Sequence, residues 1–320
     1  MFSLRNCGWL AIAIAGLLSG CAGTVGNMVA ELEDRHAAVE LTAVPFHSQV
    51  TDQCGPAALA MVLNDAGVAV SAEELRSRVY IPGRQGSLQV ELLAASRQVG
   101  RIPYEIDPTL VALVAELDAG HPVLVLQNLG AAMAPIWHYA VVVGYLPDRG
   151  KFVLRSGDQE RHLAGTKAFA RSWRRGGFWG LVVLEPGELP ANPNADRYLR
   201  AVAAAETTSS AASVYPSYRA ATQQWPEQSL AWLGLGNAAF AKGELQDAER
   251  AYQGVLAVDS DNAVAMNNLA QVYVDMGCQG KALTTIEAAL SGAAEQDPVR
   301  SHLLRTRALI LQSDTGSRCQ

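Results

Sequence analysis

The chain has 320 residues, a formal charge of −6, and is 49% hydrophobic and 18% charged. An acidic balance without a dense basic run excludes nucleic acid as a partner. The apolar share excludes wholesale disorder, and the length suits two domains of ordinary size.

Residues 1–21 read as a targeting segment. Arg5 supplies a basic start, Trp9 to Leu18 an apolar core, and Leu18-Ser19-Gly20-Cys21 follows. The core is shorter than the ~20 residues a membrane-spanning helix needs, but it suits a secretory signal. Its last four residues resemble a bacterial lipobox. That resemblance implies acylation of Cys21 and attachment to a bilayer without spanning it. Ala22 is similar to the outer-membrane sorting pattern, so the expected location is the cell envelope, facing the periplasm. Of five cysteines, Cys7 leaves with the signal, Cys21 takes the lipid and Cys54 belongs to the candidate chemistry. Cys278 and Cys319 remain, in a compartment that permits a disulfide. The sequence has no CxxC or HExxH, so no metal is expected, and nothing in it implies an organic cofactor.

A tether at 22–43 leads into a unit at 44–186. Cys54 to Asn64 is apolar at helical spacing and closed by Gly67. Ser71-Ala72-Glu73-Glu74 is a capping box that opens a second helix, ended by Tyr80-Ile81-Pro82-Gly83. Gly86-Ser87 precedes a third helix reaching Val99. Asp107-Pro108, an N-cap followed by proline, predicts a fourth helix to Leu117. The period then turns extended: Pro122 to Gln127, His138 to Tyr145, Lys151 to Arg155 and Gly180 to Leu184 read as strands. Helices followed by an antiparallel sheet is an α+β pattern.

Residues 187–194, with Pro190 and Pro193, read as a linker. Beyond it, Trp232, Leu235, Gly236, Gly243, Ala248 and Tyr252 recur 34 residues later as Met266, Leu269, Ala270, Gly277, Ala282 and Ile286. That is tetratricopeptide spacing, with small residues where paired helices approach closely. Tyr218, Ala221 and Pro226 fit the second half of a degenerate earlier unit, and Leu303 to Leu311 a closing helix. The expectation is an all-α repeat domain at 195–311 with a polar tail at 312–320. Its concave face would recruit a protein partner.

The candidate chemistry lies in Gln49-Val50-Thr51-Asp52-Gln53-Cys54-Gly55-Pro56 and in Trp137-His138-Tyr139. A thiol of pKa about 8.5 supplies only a few per cent of thiolate at neutral pH. Pro56 suits a first helical turn, which would place the Cys54 sulfur at the positive end of a helix dipole. His138 is the candidate base. Gln49 is the preferred oxyanion donor, with Gln53 as its rival. For the group that orients the histidine, Asp158 is chosen over Ser156 and Asp148. His47, His121 and His162 are the neighbouring histidines; His121-Pro122 caps a helix-to-strand turn and His162 lies in a polar loop, so these two read as structural or exposed.

Cysteine first and histidine later on a strand is the papain-like order. Gln-x4-Cys-Gly-Pro-Ala and His-Tyr-x-Val-Val-x-Gly resemble the papain-superfamily peptidase domain of bacteriocin-processing, double-glycine-leader peptidases. The whole chain resembles bacterial lipoproteins that join such a domain to tetratricopeptide repeats. The resemblance implies a peptide substrate, Cys54 as nucleophile, His138 as base and Gln49 at the oxyanion hole. Where that family has Asp-Pro after the histidine strand, this chain has Ser156-Gly157-Asp158-Gln159.

Overall fold

The computed structural model describes residues 25–32, 37–48, 53–84 and 86–312. Cys21, Gln49 and Cys319 therefore lie outside the described residues. The chain divides into two compact units, one built mainly from residues up to Val183 and one from Pro193 onward.

In the first unit a short helix at 25–30 (α1) is followed by strand β1 (Val39–Glu40) and helix α2 (Cys54–Asp65). The nine residues Gly55 to Leu63 of α2 are all buried. A helix apolar on every side belongs to a core. Helix α3 (Ala72–Val79) starts on the expected capping box, in which the Ser71 hydroxyl accepts from Glu74 N and the Glu74 carboxylate accepts from Ser71 N. Helix α4 (Gln89–Gln98) follows.

Strand β2 (Ile102–Glu105) precedes helix α5 (Leu110–Asp118). The expected start of α5 moves: Thr109 is the cap, accepting from Ala112 N at 3.1 Å, and Asp107-Pro108 lies outside the helix. Three residues from the hydroxyl to the amide it accepts from is the usual cap geometry, and Thr109 satisfies it directly.

The remaining elements of this unit are β3 (Val123–Asn128), β4 (Trp137–Leu146), β5 (Lys151–Ser156), β6 (Gln159–Gly165), helix α6 (Thr166–Arg175) and β7 (Gly180–Leu184). The described strands form one sheet in the order β2-β7-β3-β4-β5-β6, with β1 pairing the far end of β4. One face packs Leu124, Leu126, Tyr139, Val141, Val143 and Val153 against α2. On β5 the alternate residue Phe152 packs with its ring tilted 4.6 Å from that of Phe169 of α6, which stacks on Trp173. The sheet is therefore covered on both sides, which is why β3 is buried along its whole length.

Several elements were not legible in advance, helix α6 among them. β6, Gln-Glu-Arg-His-Leu-Ala-Gly, is an edge strand exposed over its first half, so no hydrophobic alternation marks it. β2 carries Pro103, which suits an edge. The segment expected as a tether is partly built in: Val25, Met28 and Leu32 are buried, and Val39 pairs Tyr145.

The second unit is all helical. It comprises α7 (Ala195–Glu206), α8 (Tyr215–Gln224), α9 (Ser229–Ala241), α10 (Leu245–Val258), α11 (Ala263–Asp275), α12 (Gln279–Gly292) and α13 (Arg300–Gln312). α9/α10 and α11/α12 are the two 34-residue repeats, and α13 closes the stack. Gly236 holds their spacing, because a Cβ there would come within 2.5 Å of the Tyr252 ring. Gly234 stands in the same relation to Tyr218, at 2.2 Å. Cys278 is buried and disulfide-bonded, and its expected partner Cys319 lies outside the described residues.

Gly236→Val should force α9 and α10 apart and destabilise the repeats by about 1–3 kcal/mol, as overpacking does. Urea denaturation followed by circular dichroism checks this, and an unchanged midpoint would contradict the close-approach reading.

Candidate active site

Cys54 is the first residue of α2, half-buried and reduced. Ala57 N bonds back to Gln53 O at 3.1 Å, and Pro56 has no N–H to satisfy. The sulfur thus stands at the positive end of a helix held rigidly by its own burial. Gly55 is required beside it: a Cβ there would lie 2.4 Å from Ser87 Oγ. The helix start is therefore pressed against the turn that leads into α4.

Cys54 opens into a cavity of about 650 Å³ whose lining includes Arg84, Ser87, Gln89, Trp137 and Tyr139. Trp137 and Tyr139 are the sequence neighbours of His138, which is not itself a lining residue of this cavity. Tyr139 lies on the α2 face of the sheet. Its hydroxyl donates to the Ser87 carbonyl at 3.2 Å. Burial, with the neighbouring Cys54 adding to it, raises the Tyr139 phenol well above its ordinary range, so this donor keeps its proton. Ser87 Oγ is buried without a hydrogen-bond partner.

His138 sits at the open start of β4, in register with Gln127 of β3. Its Nε2 is 2.8 Å from Ser156 Oγ. This corrects the choice of Asp158, which is exposed in the turn after β5 and receives no hydrogen bond among the described residues. The reason is geometric: β5 ends at Ser156, so the sheet delivers that side chain to the imidazole and the turn carries the carboxylate away. Burial lowers the His138 pKa, and the charge of His162 lowers it further. A carboxylate would have opposed both effects, whereas the serine can orient the ring without holding its positive charge.

The other candidates fall elsewhere. Gln49 lies outside the described residues. Gln53 forms the N-cap of α2 and makes no side-chain cap bond. Asp148 belongs to the turn between β4 and β5. His47 bonds Asn64 at 2.7 Å, and His121 bonds the buried Glu116 at 2.7 Å, both within the scaffold. His162, expected in a loop, is on β6.

Two features of the site escaped the sequence reading. Asn128 Oδ1 accepts from Gly130 N and Ile136 N at 2.9 and 3.0 Å, shaping the loop before His138. That loop exposes the apolar side chains of Leu129, Met133 and Ile136, next in sequence to the exposed Trp137. Arg155, buried in β5, donates to the Thr42 and Val44 carbonyls at 3.3 and 3.0 Å, fixing the segment that follows β1. The one sequence signal for the latter was a charged residue directly after the apolar run Phe152-Val153-Leu154.

A model of the Peptidase_C39 like family matches residues 41–179. A tetratricopeptide repeat model matches 194–260 and 233–298. No curated protein matches the chain. Among solved structures, the chain is similar to a protein described as a C39-like peptidase from Bacillus anthracis, at 17% identity and a TM-score of 0.39, covering 47% of this chain and 98% of that one. It is also similar to the peptidase domain of Streptococcus ComA, a bi-functional ABC transporter involved in a quorum-sensing pathway. There the identity is 20% and the TM-score 0.37, with 44% of this chain and 98% of that one covered.

The His138 imidazole should titrate below the ordinary value of 6.5. Ser156→Asp should raise that midpoint by roughly 1–3 units, the effect of an adjacent opposite charge. NMR titration of the ring protons measures both, and an unmoved midpoint in the variant would remove Ser156 from its assigned place.

Proposed function

Starting from a C39-like peptidase domain joined to tetratricopeptide repeats, we propose that this protein is a thiol-dependent peptidase held at the cell envelope by a lipid on Cys21. The observation that carries the reading is Cys54 at the head of α2, in a cavity bounded by the two residues that flank His138. With Nε2 engaged by Ser156, Nδ1 is the ring nitrogen for the thiol. Cys54 loses its proton to His138 and attacks the peptide carbonyl. The developing oxyanion is taken up by the Cys54 N–H and the Gln49 amide. His138 then protonates the leaving amine, and water resolves the thioester with His138 as base. The exposed Trp137 at the cavity and the apolar loop before it suit a substrate segment with apolar side chains, and the repeats recruit the partner that presents it.

A second reading is favoured by one specific observation, the neutral Ser156 where a carboxylate would hold the imidazolium. In that reading the peptidase domain is a degenerate scaffold, and binding through the repeats is the function. Another acyl transfer on the same nucleophile is the lesser alternative, since fold does not fix reaction.

Peptide hydrolysis by the full chain should be sensitive to thiol alkylation, and Cys54→Ser should lower turnover by roughly 10⁴ or more. The rate of Cys54 alkylation should lose its activation at neutral pH in His138→Ala. Turnover indifferent to Cys54→Ser ends the peptidase reading. Alkylation with the pH dependence of an ordinary thiol, unchanged in His138→Ala, supports the scaffold.

A further inference from the structure

The loop between β3 and β4, Leu129-Gly130-Ala131-Ala132-Met133-Ala134-Pro135-Ile136, carries no charge and no side chain with an N–H or O–H. Loops that face water ordinarily use polar residues. Here Met133 is 99% exposed, and Leu129, Ile136 and the following Trp137 are each more than half exposed. A contiguous apolar surface of this kind marks a contact with a protein or a membrane.

The backbone of the loop favours the membrane. Unpaired N–H and C=O groups are costly in lipid, so a segment that enters it must pair its own. Leu129 N donates to Ile136 O at 2.8 Å, and Ala134 N to Ala131 O at 3.1 Å, where the two alanines form an antiparallel bridge. Gly130 N and Ile136 N both donate to Asn128 Oδ1, and Pro135 has no N–H. Gly130 permits this tight closure, since a Cβ there would lie 2.2 Å from Ala134 O. Among the described residues, the N–H groups of Ala132 and Met133 remain at the tip, for the ester and phosphate oxygens of a bilayer interface. A protein partner that adds a strand needs the opposite, a backbone edge left unpaired.

Charge selects the kind of bilayer. Helix α6 carries Lys167, Arg171, Arg174 and Arg175 at i, i+4, i+7 and i+8, and no carboxylate. Its other side, Phe169, Ala170 and Trp173, is buried, so the basic face is turned outward. The end of that face adjoins the loop: Arg175 Nε donates to the Asn128 carbonyl at 3.0 Å, directly before Leu129. Among the described residues Lys167, Arg171 and Arg175 take part in no ion pair. Their charge is therefore available to anionic headgroups. An exposed tryptophan at the base of such a loop suits headgroup depth.

We propose that the β3–β4 loop enters the interface of an anionic phospholipid bilayer, with Met133 at its tip and Ile136 and Trp137 behind it. The basic face of α6 supplies the attraction to the headgroups. Because Trp137 also lines the Cys54 cavity, that cavity then opens beside the bilayer surface. The proposal rests neither on the peptidase reading nor on a lipid at Cys21.

The test is cosedimentation of the full, unacylated chain with vesicles of equal parts phosphatidylglycerol and phosphatidylcholine, and separately with phosphatidylcholine alone. Tighter binding to the anionic vesicles is expected, weakened about tenfold or more in Met133→Asp/Ile136→Asp. Lys167→Gln/Arg171→Gln should lower the preference for phosphatidylglycerol by roughly tenfold. The leader is common to all three chains, and matching thermal melts show that the fold is kept. No binding to the anionic vesicles, or binding indifferent to either double variant, overturns the proposal. A loop variant that loses peptide hydrolysis but keeps its vesicle affinity overturns it too, and gives the loop to the substrate.

Discussion

The burial of α2 is the constraint on which the C39-like unit depends. From Gly55 to Leu63 no residue of the helix reaches solvent to a significant degree, so its axis is fixed by the sheet on one side and by α3 and α4 on the other. At its head, Cys54 stands partly clear of that packing. A nucleophile placed this way has no freedom except rotation about its own side chain, which is what an acyl-transfer site needs from its scaffold. The same packing explains Gly55. Any larger residue would push the helix start away from Ser87 and out of line with Tyr139.

Electrostatics at the site follow from what the sheet delivers to the imidazole. A histidine that is buried, near a second histidine and bonded to a neutral hydroxyl is biased toward its neutral form. Neutral imidazole can take a proton from the thiol, but the resulting ion pair lacks the carboxylate that would stabilise it. The helix dipole acting on Cys54 then carries more of that task. The balance between these two effects separates an active peptidase from a scaffold that keeps its shape.

The helical unit solves a different problem with the same means. Two glycines let tyrosine rings lie against helix backbones, and Tyr252 in turn donates to Asn237 Oδ1 at 2.8 Å. Asn268 donates to the same oxygen at 3.1 Å, tying the first repeat to the second. Close approach and a shared polar partner make the repeat stack a binding surface of fixed curvature.

Much of this was determined by local sequence. The helix headed by Cys54-Gly-Pro, the capping box at Ser71, the Val-rich strands around His138 and the 34-residue period of glycine, alanine and aromatic residues each arise from interactions between neighbours. Such interactions leave a pattern that needs no fold to be read. What only the tertiary structure decided is which distant groups meet. Ser156 and Asp158 are two residues apart, and the end of β5 gives the imidazole to one and solvent to the other. The polar edge strand β6 was likewise invisible, and the role of Arg155 in holding Val44 was marked by no more than its charge. Their meaning depends on burial and on partners far along the chain, and burial is a property of the packed sheet rather than of any segment within it.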